Sequence, residues 1–333
     1  MLAARLYGAR DVRVERVPLP VPATGETLVR LRAISVCGSD LHYYRDGHIG
    51  DSQASAPLVL GHELSGEVAD GGQLVAIDPN ISCEACERCR EGNPNLCPRV
   101  RFAGTPPTDG GLREYLSWPT HLLHPLPAGM TPEMGALLEP LGVAIHAIDL
   151  ARVRLADTVA VLGTGTIGLL CVRLAALSGA VRIYATDLMP ARLNAARAFG
   201  AHAAIDPSAV DPVRAIVDAT GGQGVDVVIE CAGAPDTPDH AMRVVRPGGT
   251  VVLVGIPSND RTGFPASQAR RKGVTIKLAR RMKHAYPRAI ALARAGLVDL
   301  PQLVTHRFPL AQAAFAFAAL DRDQTIVKAL IEV

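Results

Sequence analysis

A short stretch near the start of the chain carries residues whose types and spacing suit metal chemistry. Cys37 is followed by Ser39 and His42, and His62 and Glu63 come 20 and 21 residues after His42. A thiolate, an imidazole and a carboxylate together suit a zinc ion. The Ser39 hydroxyl could hydrogen-bond an oxygen held by that ion, and His42 could then pass the proton to water. The alternative is a buried free cysteine beside a surface histidine, the common situation for a cysteine taken alone.

A second group of cysteines follows in the same part of the chain. Two residues separate each of the first three, and seven residues separate the last pair: Cys83, Cys86, Cys89 and Cys97. Four thiolates complete a tetrahedron and leave no open position, so we expect a structural zinc site. Two disulfides are an alternative, as is a zinc ribbon that binds nucleic acid. The lobe holds too few basic and aromatic residues for a nucleic-acid surface.

A glycine-rich turn marks the second half of the chain. Gly163, Gly165 and Gly168 form G-x-G-x-x-G between a predicted strand, Val159–Leu162, and a predicted helix, Ile167–Leu177. Glycines at these positions let the backbone approach a pyrophosphate at the helix N-terminus. Taken alone the motif is weak evidence, since a plain glycine turn has the same pattern.

An acidic residue at the end of the next predicted strand strengthens the assignment. Asp187 follows Arg182–Thr186 and lies nineteen residues after Gly168. It is placed to receive the ribose hydroxyls and to repel a 2′-phosphate, which favours NAD over NADP. Arg192 is near enough to soften that preference. Cys231 follows a later strand end, where it lines either the nicotinamide pocket or the core. The other expected cofactor contacts are Thr166, Ile167, Val254 and Gly255.

Length, composition and charge limit the class of protein. The chain has 333 residues, 48% of them apolar, which predicts two domains with sizeable cores. A net charge of +2 without long runs of one sign indicates neither nucleic acid nor an anionic membrane surface as a partner. We expect no signal sequence, no membrane span and a cytoplasmic location. Seven cysteines, an odd number, favour metal ligands and thiols over disulfides.

The elements that position these residues change type along the chain. Residues 1–36 are predicted as β structure, in which Val29, Leu31 and Ala33 alternate with arginines at a period of two. Short strands bounded by Gly and Pro continue to Ile77, which predicts a small, partly open barrel. From Thr158 strands and helices alternate, as in a doubly wound parallel sheet. The tail is predicted as helix Tyr286–Ala295, a strand, a second helix, and a final strand Ile326–Val333.

Glu139 is the one carboxylate in a predicted apolar helix, Ala136–Ile148. A carboxylate in such surroundings is exposed, paired or functional. Pro140 is tolerated in the first turn of a helix, so Glu139 lies at a helix start. There it either complements the helix dipole or serves the metal site.

Taken together, these residues resemble the zinc-dependent medium-chain alcohol dehydrogenase family over nearly the whole chain. The likeness is greatest to its polyol branch of sorbitol, xylitol and L-idonate dehydrogenases. It rests on the stretches CGSDLHYYRDGHIG from Cys37, GHE at Gly61–Glu63, the four-cysteine lobe, FAGTPPTDG from Phe102 and EPLGVAIHA from Glu139.

The resemblance implies an α/β protein with a GroES-like β-barrel catalytic domain split by an inserted Rossmann domain. The catalytic domain would be residues 1–141 plus 282–333, with the structural zinc lobe at 80–100, and the NAD-binding domain residues 142–281. Partners would be a small alcohol or polyol and further copies of the chain, as a tetramer or dimer.

The resemblance also implies residue roles. Cys37 and His62 would be catalytic zinc ligands, with Glu63 a further or alternating ligand and Glu139 a ligand directly or through water. Ser39 and His42 would form the proton relay. The substrate pocket would be lined by Tyr43, Phe102, Thr105, Arg281 and Met282, the last standing where sorbitol dehydrogenases usually carry tyrosine.

We therefore expect two zinc ions per chain and NAD-dependent oxidation of a secondary alcohol of a polyol to a ketose. A dehydrogenase of another secondary alcohol, of the threonine or butanediol type, is the alternative enzyme. A nucleotide-binding homologue that kept the fold and lost activity is the alternative outside catalysis. Intact Cys37, Ser39, His62 and Glu139 argue against that last alternative.

Overall fold

The computed structural model describes residues 1–54 and 57–333. The chain divides into two units. The first combines Met1–Gly142 with Lys283–Val333, and the second is the intervening segment Val143–Met282.

The N-terminal segment consists mostly of short strands. In chain order its elements are β1 (Leu2–Gly8), β2 (Asp11–Arg16), β3 (Glu26–Ser35), α1 (Gly38–Asp46), β4 (His48–Ile49), β5 (Ser52–Gln53), β6 (Leu58–Val59), β7 (Glu63–Val68), β8 (Leu74–Ile77), β9 (Asn80–Ile81), α2 (Glu87–Arg90), β10 (Arg101–Phe102), β11 (Tyr115–Pro119), β12 (Leu123–Pro125), α3 (Pro132–Ala136) and α4 (Leu138–Ala151). The helix α4 continues past the last residue of this segment.

The second unit alternates strand and helix, as predicted. Its elements are β13 (Thr158–Leu162), α5 (Thr166–Leu177), β14 (Arg182–Thr186), α6 (Pro190–Phe199), β15 (Ala203–Ile205), α7 (Pro212–Ala219), β16 (Val225–Glu230), α8 (Thr237–Val244), β17 (Val245–Leu253), α9 (Ala266–Lys272) and β18 (Thr275–Leu278). The tail then adds to the first unit α10 (Tyr286–Arg294), β19 (His306–Pro309), α11 (Ala313–Arg322) and β20 (Ala329–Glu332).

Among the described residues, the main sheet of the first unit has the order β12-β8-β7-β3-β20-β19, with β11 also paired to β3. Its pairs are antiparallel except for β19 with β20. In β3 the residues Val29, Leu31 and Ala33 are buried at the predicted period of two, which turns one face of the strand inward. Val29 and Leu31 belong to a core that includes Phe317 of α11, whose ring centroid lies 5.3 Å from that of Tyr44.

The second unit is built on a parallel sheet of order β15-β14-β13-β16-β17-β18. Four of the five residues of β13 are buried, as expected for a central parallel strand covered on both faces. The strand order reverses at β13, which has β14 on one side and β16 on the other. In such sheets ligands bind beyond the carboxyl ends of the strands at this reversal.

The expectation of no apolar run long enough to span a membrane is wrong for one segment. Pro132–Ala151, which comprises α3 and α4, has a mean hydropathy of 1.4 over an 18-residue window, 72% of which is buried inside the protein. That burial is typical of a core helix, whose apolar character reflects protein packing on all sides.

Candidate active site

The predicted metal ligands Cys37, His62 and Glu63 come together in the first unit. One ligand atom of each lies within 4.8 Å of those of the other two. Cys37 immediately precedes the first residue of α1 and lies two residues after the end of β3, and Glu63 begins β7. Antiparallel pairing of Ser35 with Glu63 lays the two chain segments side by side. The register of β3 against β7 therefore assembles a cluster from residues distant in sequence.

A carboxylate that sequence analysis did not single out orients His62. Asp40 is buried, and its Oδ1 lies 3.4 Å from His62 Nδ1. The carboxylate also accepts hydrogen bonds from the backbone N–H groups of Cys37, at 3.0 Å, and Gly61, at 3.1 Å. Burial acts to lower the pKa of His62, but Asp40 and Cys37 together raise it well above its usual value. Asp40 thus holds the ring through Nδ1, an arrangement typical of metal-ligating histidines.

Glu63 is held by a lysine from the C-terminal strand region. Lys328 Nζ lies 2.8 Å from Glu63 Oε1 and 2.7 Å from Oε2, and it also donates to the Val36 carbonyl at 3.1 Å. Both side chains are almost fully buried, with 3% of Lys328 and 1% of Glu63 exposed. Ser35 Oγ donates to the same carboxylate. Glu63 is therefore a charge-paired group beside the other two ligands.

Glu139 lies in the first turn of α4 and is buried. It is not one of the three residues whose ligand atoms lie within 4.8 Å of one another. Burial raises the pKa of Glu139 to about 7, an effect that His62 opposes and Glu63 reinforces. Glu139 is thus near enough to the cluster for these charges to act on it, as its predicted role at the metal requires.

The two residues of the predicted proton relay lie on α1. Ser39 Oγ is 3.5 Å from His62 Nε2, on the ring edge opposite Asp40. His42 follows one turn later, half-buried, with Nδ1 3.7 Å from Asp46 Oδ2. Burial lowers the pKa of His42, and Asp46 only partly opposes this. His42 is consequently neutral at pH 7 and able to accept a proton.

The predicted substrate residues of the first unit differ in their surroundings. The buried ring of Phe102 lies 5.3 Å from the ring of His62, so it contacts a predicted zinc ligand. Tyr43 is buried in the core, with its hydroxyl 2.8 Å from Ser52 Oγ. Thr105 is half-buried, in a turn where its backbone N–H donates to the Phe102 carbonyl at 3.0 Å.

The other two predicted substrate residues are the last residues of the second unit. Arg281 has a φ of +52°, a left-handed backbone conformation that is uncommon outside glycine. Met282 is buried, with 5% of its surface exposed.

The four cysteines of the lobe also converge. Their sulfur atoms all lie within 4.8 Å of one another, with Cys86 Sγ 3.4 Å and Cys83 Sγ 4.0 Å from Cys89 Sγ. Tetrahedral zinc with bonds of about 2.3 Å separates its sulfur ligands by about 3.8 Å. All seven cysteines of the chain are described and are free thiols, so the predicted alternative of two disulfides is wrong. The donor set and its spacing fit a structural zinc ion.

The glycine-rich turn of the second unit fits a dinucleotide pyrophosphate. A Cβ on Gly168 would lie 1.9 Å from the Gly163 carbonyl oxygen, and Gly163 itself has a φ of +88°. These two glycines are required by the packing of the turn. At Gly165 a Cβ would meet no protein atom within 4 Å, so this glycine leaves open space at the N-terminus of α5. Thr166 and Ile167 form the first helical turn there, and the N-terminus of a helix favours an anion.

Asp187 follows the last residue of β14, beside this turn. Its Oδ2 accepts hydrogen bonds from the backbone N–H and the hydroxyl of Thr164, at 2.8 and 3.2 Å. Its Oδ1 accepts from the backbone N–H of Met189 at 2.9 Å. Arg192 Nη1 lies 4.0 Å from Asp187 Oδ2. The carboxylate thus lies where the ribose of a dinucleotide is expected.

The remaining predicted cofactor residues follow the neighbouring strands. The backbone N–H of Cys231 donates to the Leu162 carbonyl at 2.7 Å, and those of Val254 and Gly255 donate to the Glu230 carbonyl at 2.8 and 3.0 Å. They therefore line the carboxyl edge of the sheet at the strand reversal. The Cys171 thiol and then burial raise the pKa of Cys231 well above its usual value, and the residue is half-buried.

Sequence reasoning missed three buried charged residues that organise these sites: Asp40, Lys328 and Glu230. The Glu230 Oε1 atom accepts hydrogen bonds from the N–H groups of Ala232 and Gly233, both at 2.8 Å, and so shapes the loop after β16. A detectable signal existed for two of them. Asp40 is the third residue of a helix that begins after Cys37, and Lys328 is the single charge within the apolar run from Ile326 to Ile331.

Comparison with known proteins agrees with this geometry. The family model described as "Alcohol dehydrogenase GroES-like domain" matches residues 23–128, and the model "Zinc-binding dehydrogenase" matches residues 166–295. Sorbitol dehydrogenase of Bacillus subtilis (strain 168) is 36% identical over 321 residues, covering 94% of this chain and 91% of that protein. Sorbitol dehydrogenase of Bos taurus is 38% identical over 327 residues, covering 95% and 92%.

A solved structure has the same architecture. L-idonate 5-dehydrogenase from Escherichia coli K-12 superposes with a TM-score of 0.93 at 29% identity, covering 100% of this chain and 98% of that one. The predicted GroES-like and Rossmann folds are thereby confirmed, as is the prediction of an oxidoreductase that uses zinc and a nicotinamide dinucleotide. With both family models matched in order and polyol dehydrogenases more than one-third identical over nearly its whole length, the chain belongs to the zinc-dependent medium-chain alcohol dehydrogenase family, in the polyol dehydrogenase branch.

Proposed function

We propose that this enzyme oxidises a secondary alcohol of a polyol to a ketose, reversibly, with NAD as the hydride acceptor. The observation that carries the proposal is the cluster of Cys37, His62 and Glu63 with the Ser39 hydroxyl beside it. The sorbitol and L-idonate dehydrogenases among the similar proteins support a polyol substrate. We assign catalysis to residues 1–141 with 282–333 and NAD binding to residues 142–281.

The first unit supplies the groups that act on the alcohol. Cys37 and His62 would hold the catalytic zinc ion, with Glu63 and Glu139 as further ligands, directly or through water. When bound, zinc supplies Lewis acidity toward an alcohol hydroxyl, and the nicotinamide supplies hydride acceptance. One cationic group, Lys328, already balances the charge of Glu63. That pairing keeps the summed negative charge of the ligand set low.

Proton removal is assigned to α1. Ser39 Oγ, 3.5 Å from His62 Nε2, lies on the ligand side of the helix and takes the alcohol proton. His42, one turn further on, receives it from Ser39, directly or through water, and releases it to solvent. The lowered pKa of His42, caused chiefly by burial, keeps it unprotonated and ready at pH 7.

NAD is the proposed dinucleotide because Asp187 closes β14 beside the glycine-rich turn. A carboxylate there accepts hydrogen bonds from ribose hydroxyls and repels a 2′-phosphate. The wild-type enzyme should therefore show higher kcat/KM with NAD than with NADP.

We assign substrate recognition to Arg281, which would bind a polyol hydroxyl distant from the reacting carbon. Arg281→Ala should lower kcat/KM for a polyol about 5- to 150-fold, the effect of about 1–3 kcal/mol of lost hydrogen bonding. For a short secondary alcohol, which lacks that hydroxyl, the loss of kcat/KM should be far smaller. Arg280→Ala is the matched control and should leave kcat/KM unchanged for both substrates. Equal losses on both substrates would indicate a folding effect.

The proposal is tested by NADH production across polyols, vicinal diols, simple secondary alcohols and threonine. A polyol should give the highest kcat/KM, and higher turnover of a simple alcohol or threonine would reject the polyol assignment. Metal analysis should find about two zinc ions per chain. Cys37→Ser should lose the catalytic zinc ion and with it the activity. Cys89→Ser should lose the structural zinc ion, and its main effect should be a lower stability.

We further propose a cytoplasmic homo-oligomer, a tetramer or dimer. Clustered free thiolate ligands suit a reducing compartment. The edge strand β18 exposes 74% of Leu278, an apolar residue typical of surfaces covered by another subunit. Light scattering coupled to gel filtration measures the assembly directly, and a monomer at micromolar concentration would contradict it.

A further inference from the structure

Thr164 stands between the first two glycines of the dinucleotide turn and has none of its surface exposed. Its backbone N–H and its hydroxyl both donate to one atom, Asp187 Oδ2, at 2.8 and 3.2 Å. Two donors from one residue thus converge on one carboxylate oxygen. The hydroxyl is not required by the backbone of the turn, since the amide already bonds the carboxylate.

The other oxygen of Asp187 is fixed as well. Oδ1 accepts a hydrogen bond from the backbone N–H of Met189 at 2.9 Å. Only 8% of the Asp187 side chain is exposed. With donors on both oxygens, rotation of the carboxylate about its side-chain torsions breaks at least one charge-assisted hydrogen bond. The negative charge is therefore held at the carboxyl end of β14.

Arg192 is a cationic neighbour of this carboxylate. Its Nη1 lies 4.0 Å from Asp187 Oδ2, beyond hydrogen-bond length. A carboxylate turned toward the guanidinium would form a closer ion pair and leave room for a 2′-phosphate. The Thr164 hydroxyl bonds the same oxygen, Oδ2, and so opposes that movement.

We propose that Thr164 is a positioning residue that sets the dinucleotide preference, by holding Asp187 in the orientation that excludes a 2′-phosphate. The inference rests on the proposed preference for NAD. It assigns the strength of that preference to the threonine hydroxyl in addition to the acidic side chain. Loss of the hydroxyl weakens the hold on Asp187, so NADP gains relative to NAD.

The structure offers a matched control at the opposite, amino-terminal end of the strands of the same sheet. The Thr158 backbone N–H and hydroxyl both donate to Asp226 Oδ2, each at 2.8 Å. The same two donors thus bind one aspartate oxygen at the amino end of β13, away from the dinucleotide turn. Thr158→Val removes the same kind of hydrogen bond, together with the one that its hydroxyl accepts from the Asp226 backbone N–H at 3.1 Å, without touching the cofactor site.

The experiment compares Thr164→Val, which keeps shape and backbone N–H but lacks the hydroxyl, with Thr164→Ser, which restores it. Fluorescence titration of the full chain with NADH and NADPH gives the ratio of dissociation constants without relying on turnover. In Thr164→Val the ratio of the NADPH dissociation constant to the NADH dissociation constant should be about 5- to 20-fold smaller than in wild type. Thr164→Ser should stay close to wild type, and so should Thr158→Val.

An unchanged ratio in Thr164→Val, with wild type preferring NADH, overturns the role of Thr164 and leaves the NAD assignment standing. A wild type that prefers NADPH overturns the NAD assignment itself. An equal change in Thr158→Val shows a general loss of stability and also overturns the role of Thr164. Thr164→Ala, which removes the hydroxyl without a branched side chain, is measured by the same titration if the valine variant does not fold.

Discussion

The buried pair Lys328–Glu63 makes a quantitative prediction about the first unit. Lys328→Met keeps the length of the side chain and removes its charge and all three of its hydrogen bonds. Glu63 then remains buried, with 1% of its side chain exposed, bonded to Ser35 but without a counter-charge. Removing one partner of a buried ion pair costs about 3–5 kcal/mol. The cost arises mainly because the remaining charge has lost both water and its partner.

That magnitude converts into a measurable shift. The first unit contains 142 residues before the inserted segment and 51 after it. In domains of this size each kcal/mol shifts the melting temperature by about 2–4 °C, so Lys328→Met should lower that of the first unit by about 6–20 °C. Urea unfolding of zinc-free and zinc-loaded protein, followed by the fluorescence of Trp118 in the first unit, measures the free energy itself.

Two further variants isolate the cause. Lys328→Met combined with Glu63→Gln removes both charges and should recover most of the lost stability, because no unpaired charge remains. Lys277→Met is the matched control. Among the described residues its Nζ bonds only the Leu150 carbonyl, in the second unit, so the lost stability should be about 1 kcal/mol. A loss below 1 kcal/mol in Lys328→Met, or a double variant no more stable than the single one, would refute the reasoning.

Three other predictions follow from the site and its surroundings. Asp40→Asn should weaken zinc binding at His62 about 10- to 100-fold, measured by competition with a fluorescent chelator, because the ring loses its anionic partner. Burial raises the pKa of Asp78 from 3.8 to about 6, so ionisation destabilises the fold as pH rises through that range. Asp78→Asn should therefore be more stable than wild type at pH 8, by at most about 3 kcal/mol, and no more stable at pH 4 in urea unfolding. Gly168→Ala should abolish measurable NADH binding in a fluorescence titration, since its Cβ would lie 1.9 Å from the Gly163 carbonyl oxygen.

Local elements were predictable where hydrophobic periodicity and turn residues agree. The predicted bounds of β14 match the structure residue for residue, and those of β13 and α5 differ from it by one residue at the start. The helix α9 was missed because none of its residues is buried, so it has no apolar face to produce a period. The final strand begins at Ala329 and not at Ile326, because Asp323 and Thr325 form a turn that extends to Ile326.

In the candidate sites, too, some residues were predictable from the local sequence and others were not. Residue type and spacing were enough to predict that Cys37, His62 and Glu63 come together, because metal chemistry limits which side chains serve as ligands. The residues that hold them were not predictable from local pattern. Lys328 meets Glu63 across 265 positions of sequence, and Thr164 meets Asp187 across 23, through pairings that only the folded chain creates.

The strand β20 has a consequence for how the chain is made. It pairs with Ala33–Ser35 of β3 inside the main sheet, between β3 and β19, and it is synthesised after the whole of the second unit. The second unit, Val143–Met282, is continuous in sequence and emerges complete before that strand exists. Domains generally fold as they are synthesised, so we expect the nucleotide-binding unit to fold first. The main sheet of the first unit would be completed only after β20 has been synthesised, when Cys37 and the four cysteines of the lobe have long emerged.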